Sequence, residues 1–290
     1  MTAKESSLHF VVSNFDTLPF FYLDSWSDVT VYDQSDNIEV IQQLKDLNDP
    51  RIRFEGKTCG HNLLNYLDFI LDHYEDLPEL VVFTKGNMPG RHCDANWFKN
   101  SIHKGQYEFL WDDQSFRDQD GIAYRIAPGR FLERNNSWYV KESPHRYFVS
   151  FDDFLDFLFV DYRKIQYVLF SPGACYIVER ERIIRNPRSF YQGLRKLIDY
   201  SFRPAECFML ERALNLIFDR TYELRDYCST SEFLYQISIL TDQSSVVAQG
   251  NKNYMDSILD SFIYKLGILK RKRSEKRNKL HKKENDDKTN

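Results

Sequence analysis

Residues 61–92 carry the pattern that most restricts the fold of this chain: an amphipathic helix, a tight turn, an apolar strand and a polar loop. Apolar side chains recur at helical spacing between positions 61 and 74, and Pro78 prevents the helix from continuing. An apolar strand over 80–83 follows and opens into Thr84-Lys85-Gly86-Asn87. Because this order favours a parallel, right-handed crossover, the pattern predicts an α/β fold with a mostly parallel, Rossmann-type sheet.

Two earlier segments end in the same way. Residues 8–13 and 29–32 are short apolar runs with β-branched side chains, and polar turns that contain Asn14 and Asp33 follow them. Open α/β sheets bind ligands in the crevice at the carboxyl ends of their strands. If these strands are parallel, their polar turns line one edge of the sheet, and we expect the functional site there.

The remaining elements are predicted from caps and prolines. Ser150 begins a short acidic helix, residues 167–170 and 174–178 are strands on either side of Pro172-Gly173, and Asn186-Pro187 and Pro204 begin two further helices. Residues 93–149 have no clear periodicity and predict an irregular insertion of loops and short strands. The sequence therefore predicts an α/β domain over 1–250, an amphipathic helix over 251–269 and a basic, disordered tail over 270–290.

Composition and cysteine usage indicate an intracellular setting. The chain is 42% hydrophobic and 28% charged, and no run of about 18 uncharged apolar residues is present. The first ten residues lack the basic-then-apolar pattern of a signal peptide. Five widely spaced cysteines without a CxxC pair are typical of reduced thiols rather than of disulfides or a zinc site. We expect a cytoplasmic protein.

The net charge of −4 conceals an uneven distribution. Residues 270–290 hold ten Lys or Arg and four Asp or Glu, which leaves 29 basic and 39 acidic residues before them, a charge of −10. A basic tail that follows an amphipathic helix suits an anionic membrane surface. The acidic body and the missing recognition motif argue against nucleic acid. A solvated tail without a partner is an equal alternative.

Several segments together resemble a family of uncharacterised proteins over about residues 8–220, except for 93–145. The segments are FVVSNFD…VTVYDQSDN, YLDFILDHYEDLPELVVFTKG…H and GACYIVERERIIRNPRSFYQGL…ERALNLIF. The same order resembles GT-A-type glycosyltransferases of polysaccharide assembly. This resemblance implies an α/β nucleotide-sugar fold whose donor nucleotide lies over the carboxyl ends of the first strands. The implied function is transfer of a sugar from a nucleotide-sugar to a glycan or lipid-linked acceptor.

One departure from the GT-A pattern concerns the metal. Many of those enzymes place an Asp-x-Asp, which holds Mn²⁺ or Mg²⁺ on the diphosphate, where this chain has Thr84-Lys85-Gly86-Asn87. Asp118-Gln119-Asp120 has the required spelling but follows no predicted strand. Metal dependence therefore stays open, and cations of the protein are left to stabilise the leaving diphosphate.

The resemblance assigns those cations to the loop after the third strand. Lys85, Arg91 and His92 are predicted to face the phosphates, with Lys85 and His92 as catalytic residues and Gly86 and Arg91 as binding residues. The alternative is a solvated loop with a helix-capping histidine.

Four further residues complete the predicted site. Asp33, with Asn14, is placed to contact the base or ribose, although an Asx-turn would need the same residue. Glu211 resembles the acceptor-side carboxylate and is a candidate general base, with Glu206 in reserve. Glu211 could instead form an ion pair with Arg212, Arg182 or Arg185. Gly173 is predicted to approach the sugar or to complete a type II turn.

Two alternatives concern chemistry and function. Cys59-Gly60-His61 and His92-Cys93-Asp94 suggest zinc, but no second pair at ligand spacing supports it. The principal rival function is a non-catalytic glycan-binding or assembly factor that retains the fold.

Overall fold

The computed structural model describes residues 7–55, 59–113 and 123–246, and a six-stranded mixed sheet lies at its centre. The strands in chain order are β1 (Leu8–Asn14), β2 (Val29–Asp33), β3 (Ile52–Phe54), β4 (Leu80–Lys85), β5 (Glu108–Phe109), β6 (Ala123–Ala127), β7 (Arg130–Arg134), β8 (Tyr167–Phe170) and β9 (Tyr176–Glu179). The large sheet has the order β3-β2-β1-β4-β9-β5, and β6, β7 and β8 form a second sheet.

Helices cover the large sheet. They are α1 (Phe20–Leu23), α2 (Ile38–Asp46), α3 (His61–Asp72), α4 (Ala95–His103), α5 (Tyr139–Glu142), α6 (Phe151–Leu158), α7 (Arg180–Ile184), α8 (Arg188–Ile198), α9 (Ala205–Asp219) and α10 (Glu232–Val246). Short 3-10 turns span Pro172–Ala174 and Asp226–Ser229. The mixed α/β class predicted from the sequence is confirmed.

The strand order places a topological switch point between β1 and β4. β1, β2, β3 and β4 are parallel to one another, whereas β9 runs antiparallel to both β4 and β5. The chain passes from β1 outward to β2 and β3, then returns across the sheet to β4 on the other side of β1. Connections therefore leave β1 and β4 in opposite directions, which is the arrangement that opens a ligand crevice at the strands' carboxyl ends.

Side chains alternate between the two faces of the sheet, and this alternation decides which polar groups can meet. One face packs against α3 and α9, where Phe83 lies 5.0 Å from the Tyr66 ring and 6.5 Å from the Phe218 ring. The other packs against α1, where Phe10 lies 5.9 Å from the Tyr22 ring. Lys85 is two residues after Phe83 and so shares the face of α3 and α9.

The segment 93–149 contains the short strands β5, β6 and β7, as the sequence predicts, together with the helices α4 and α5, which it does not. The Asp94 side chain caps α4 by accepting hydrogen bonds from the N–H groups of Asn96 and Trp97. That helix buries only Phe98, Ser101 and Ile102, so its apolar stripe is short. The hairpin of β6 and β7 pairs with the distant β8, a non-local contact that periodicity does not reveal.

Other predicted boundaries hold or shift slightly. The Ser150 side chain caps α6, as predicted, at 3.1 Å from the Asp153 N–H. The strand predicted at 174–178 begins at Tyr176, because the preceding residues form a 3-10 turn in which Gly173 has φ of 74°. The helix predicted at Asn186-Pro187 begins at Arg188 without a side-chain cap. The predicted helix over 251–269 and tail over 270–290 lie outside the described residues. Among the residues that the structure describes, no helix is long and apolar enough to span a membrane.

Candidate functional site

Gly173 lies at the centre of a polar cluster at the carboxyl edge of the sheet. Its N–H donates to the Glu211 carboxylate on α9, and its carbonyl accepts from Asn62 Nδ2 on α3 at 2.7 Å. A Cβ at this position would lie 2.7 Å from Lys85 Cε and 3.1 Å from Trp111 Cζ3. Glycine is favoured by the positive φ and by this close approach. Elements far apart in the chain therefore converge beside the end of β4.

Lys85 is the cation of this cluster, and no described residue forms an ion pair or hydrogen bond with its ammonium group. Its Nζ lies 5.5 Å from the centre of the Trp111 ring, within range of a cation–π interaction. Burial lowers the pKa of Lys85, the charges of Arg203 and Arg91 lower it further, and the Glu211 carboxylate opposes them. A partly buried ammonium that no described residue pairs directly, at a ligand crevice, is a candidate functional group.

His92 stacks on Trp111 beside this lysine. The two ring centres are 3.9 Å apart with an angle of 22° between the planes, and His92 Nδ1 lies 3.5 Å from Asp113 Oδ2. Burial, together with the charges of Lys85 and Arg91, lowers the pKa of His92 to about 3 despite Asp113. This lowered pKa favours neutral His92 at pH 7, whereas the sequence groups His92 with the cations Lys85 and Arg91. Arg91 is exposed, and the role of His92 stays a prediction.

His61 belongs to the same cluster, although the sequence suggested it only as half of a zinc pair. Its Nδ1 lies 2.6 Å from Asn62 Oδ1 at the start of α3. Burial and the charges of Lys85 and Arg203 lower the pKa of His61 to about 3. The sequence offered one signal for a role of His61, namely its position. His61 is the first residue of α3, the helix that follows β3, and the carboxyl end of β3 lies at the ligand edge of the sheet.

Both carboxylate oxygens of Glu211 contact hydrogen-bond donors. Its Oε1 accepts from the Gly173 N–H, and its Oε2 lies 2.9 Å from Arg212 Nη1. Arg212 also binds both oxygens of Glu133 on β7 at 2.7 Å. Of the ion pairs that the sequence left open, the one with Arg212 is formed, whereas Arg182 pairs with Glu179 and Asp219. The catalytic role of Glu211 stays a prediction.

Glu206, the reserve candidate, has a structural environment. Its Oε1 accepts from the N–H groups of Arg146 and Tyr147 at 2.9 and 2.8 Å, and its Oε2 accepts from the Tyr200 hydroxyl at 2.5 Å. Burial raises the pKa of Glu206. This carboxyl group fixes the loop before α6 to the start of α9.

Asn14, Asp33 and Gly86 form a separate polar cluster. Asn14 Nδ2 donates to Asp33 Oδ1 and to the Thr17 carbonyl, both at 2.8 Å, and its Oδ1 accepts from Thr17 Oγ1 at 2.6 Å. Ser35 Oγ donates to Asp33 Oδ1 at 2.6 Å, a local bond between side chains rather than the backbone contact of an Asx-turn. Asn14 follows Ser13, the register partner of Lys85, so its side chain points to the opposite face.

Gly86→Ala is expected to destabilise this second cluster by about 1–3 kcal/mol, because an added Cβ overlaps the Asn14 Oδ1 atom. Urea denaturation of the wild type, both single variants and the Asn14→Ala/Gly86→Ala double variant measures the effect. Since Asn14→Ala removes the nearest obstructing atom and leaves only Thr17 Oγ1 at 2.8 Å, the glycine substitution should cost less in that background. If the losses in the free energy of unfolding of the two single variants simply add in the double variant, the proposed overlap is wrong.

No group of three or more His, Cys, Asp or Glu side chains suited to a metal ion occurs in the residues that the structure describes. Asp118 and Asp120 lie outside them. Four residues of the predicted site lie together in the Lys85 cluster, as far as the structure describes it: Lys85, His92, Gly173 and Glu211. The cluster also contains His61, Asn62 and Trp111, which were not predicted as site residues.

Comparison with known proteins gives a family but no activity. The model of DUF3431, a protein family of unknown function, matches residues 24–235, and the chain belongs to this family. The sequence-based expectation of an uncharacterised family is thereby confirmed. No curated protein and no solved structure matches the chain. The matched range includes every residue of the Lys85 cluster.

Proposed function

We propose that this DUF3431 protein transfers a sugar from a nucleotide-sugar donor to a glycan or lipid-linked acceptor. The observation that carries the proposal is the Lys85 ammonium, which no described residue pairs, at the carboxyl end of β4 and at the switch point of the sheet. A ligand crevice is expected at that point. An ammonium group without a direct ion pair or hydrogen bond favours an anionic ligand, and the diphosphate of a nucleotide-sugar supplies one.

The residues around Lys85 suggest how such a donor is held. The ammonium faces the diphosphate and stabilises the charge that grows on it as the sugar leaves. His92 and Trp111 form a stacked pair that lines the crevice, and neutral His92 can form a hydrogen bond with the donor. Arg91 is exposed and attracts the anion from solvent.

The GT-A resemblance also implies a divalent metal ion, and the described residues do not fit one. In place of the metal-binding carboxylates, β4 ends in Lys85, whose positive charge repels a cation. Glu211 already binds Arg212 and the Gly173 N–H. The proposed function therefore assigns the stabilising charge to Lys85.

A non-catalytic glycan-binding or assembly factor that retains the fold is the second candidate. It is favoured by the contacts of Glu211, since both oxygens of the predicted general base are already acceptors. Binding of the donor without turnover would decide for this alternative.

Lys85→Ala is expected to weaken nucleotide binding by about 10–100-fold, because a hydrogen bond to a charged group contributes about 1.5–3 kcal/mol. The measurement is the thermal shift of the purified full chain with UDP, GDP and a panel of their sugars, followed by titration calorimetry. Lys164→Ala, which removes an exposed lysine, is the matched control. Unchanged affinity in Lys85→Ala would remove the basis of the proposed function.

A further inference from the structure

The hydrogen bonds around His61 determine which of its ring nitrogens carries the proton. The Gly173 carbonyl can only accept, so the Asn62 amide nitrogen faces it, at 2.7 Å. The Asn62 oxygen therefore faces His61 Nδ1, at 2.6 Å. That oxygen can only accept as well, and it follows that Nδ1 carries the proton and Nε2 presents a lone pair.

His61 Nε2 is a proton acceptor that the protein does not use. It forms no hydrogen bond with any residue that the structure describes. The ring stays neutral because burial and the charges of Lys85 and Arg203 lower the pKa of His61 to about 3. His61 is linked through Asn62 to Gly173, the residue that lies against Lys85, to which the proposed function assigns the diphosphate.

Glu211, the base predicted from the sequence, is less well placed for a proton transfer. Both of its oxygens already accept hydrogen bonds, one from the Gly173 N–H and one from Arg212. Protonation of either oxygen would compete with one of these bonds. Protonation of His61 Nε2 breaks no bond to a described residue and leaves the Nδ1 contact with Asn62 intact.

We propose that His61 is the general base that takes the proton from the acceptor hydroxyl, with Asn62 as the positioning residue that fixes its tautomer. This assignment depends on the proposed sugar transfer. In the step, the hydroxyl proton moves to Nε2 and the hydroxyl oxygen forms a bond to the anomeric carbon. The bond from that carbon to the diphosphate breaks, and its electron pair leaves with the diphosphate beside Lys85. The imidazolium then releases its proton to solvent.

The same charges impose an order on the reaction. In the free protein burial, followed by the charges of Lys85 and Arg203, disfavours a proton on His61 and makes the ring a weak base. A diphosphate beside Lys85 adds negative charge and offsets part of this effect. His61 is therefore a stronger base with the donor bound than without it, which favours donor binding before proton transfer.

The tautomer is tested without any substrate. Two-bond ¹H–¹⁵N spectra of the full chain with labelled histidine should show His61 neutral at pH 7 with its proton on Nδ1. Asn62→Ala should abolish that preference. A proton on Nε2 alone, or a doubly protonated ring, would overturn the assignment.

The catalytic role is tested with His61→Asn. Because His61 has φ of 51°, asparagine is the replacement best suited to preserve the fold. The variant should retain the thermal shift that UDP or GDP gives the wild type and lose at least about 100-fold in turnover of the corresponding sugar donor. Asn62→Ala should lower kcat more than it raises KM. His145→Ala, at an exposed position, is the control and should leave both unchanged.

The outcomes separate the two proposals. If His61→Asn turns over within twofold of the wild type, the base assignment alone fails. If the wild type binds none of these nucleotides and turns over none of the sugars, sugar transfer fails and the base assignment falls with it. Binding by the wild type without turnover favours the non-catalytic alternative and likewise overturns the base.

Discussion

Arg212→Met is expected to lower the free energy of unfolding by about 3–5 kcal/mol, because it removes one member of a buried charge network. The side chain of Arg212 is only 5% exposed and lies between the carboxylates of Glu133 and Glu211. The rings of Phe170 and Tyr139 face its guanidinium at 4.7 and 5.1 Å. Methionine matches the stem of the arginine but leaves the buried Glu133 and the partly buried Glu211 carboxylates without their cation.

Urea denaturation and the melting temperature measure this effect. For a domain of this size, a loss of 1 kcal/mol lowers the melting temperature by about 2–4 °C, so a decrease of about 6–20 °C is expected. Arg182→Met is the matched control. Its pairs with Glu179 and Asp219 lie nearer the surface, and we expect a cost below about 1 kcal/mol.

A double variant tests the origin of the loss. In a Glu133→Gln background one of the two carboxylates is already neutral, so Arg212→Met should cost less than in the wild type. Two results would contradict this explanation. One is an Arg212→Met protein whose free energy of unfolding lies within 1 kcal/mol of the wild type. The other is a double variant whose loss equals the sum of the two single losses.

Strong local patterns explain why part of the fold could be predicted. β1, β4 and α3 carry long apolar runs or a clear helical period, and their burial follows the pattern closely. β3 and β5 have three and two residues, too few for any period to show. They become strands because neighbouring strands pair with them, and this information is spread over distant parts of the chain.

The predicted site separates into two clusters for a similar reason. Adjacent strands bring Asn14 and Lys85 to one edge, as their polar turns indicated. Strand alternation then sends their side chains to opposite faces, and no single-strand pattern shows which helices cover each face. His61 was missed as a site residue because Asn62 and Gly173, which fix its environment, are 111 residues apart.

Gly173→Ala is expected to weaken nucleotide binding at least about tenfold, although it adds only one methyl group. The added Cβ would lie 2.7 and 2.8 Å from Lys85 Cε and Nζ. The flexible end of the lysine must move away, so the ammonium leaves the position that the proposed function assigns to the diphosphate. The positive φ adds a backbone cost of about 1–2 kcal/mol, which the fold can tolerate.

Gly105→Ala separates backbone strain from the displacement of Lys85. Gly105 has φ of 63°, close to that of Gly173, but an added Cβ there meets nothing nearer than 3.9 Å. Both variants should lose similar stability in urea, whereas only Gly173→Ala should lose affinity for UDP or GDP in calorimetry. Equal affinities would mean that the ammonium position does not matter for binding. A selective loss in Gly173→Ala, matched by Lys85→Ala, would place the nucleotide against this turn.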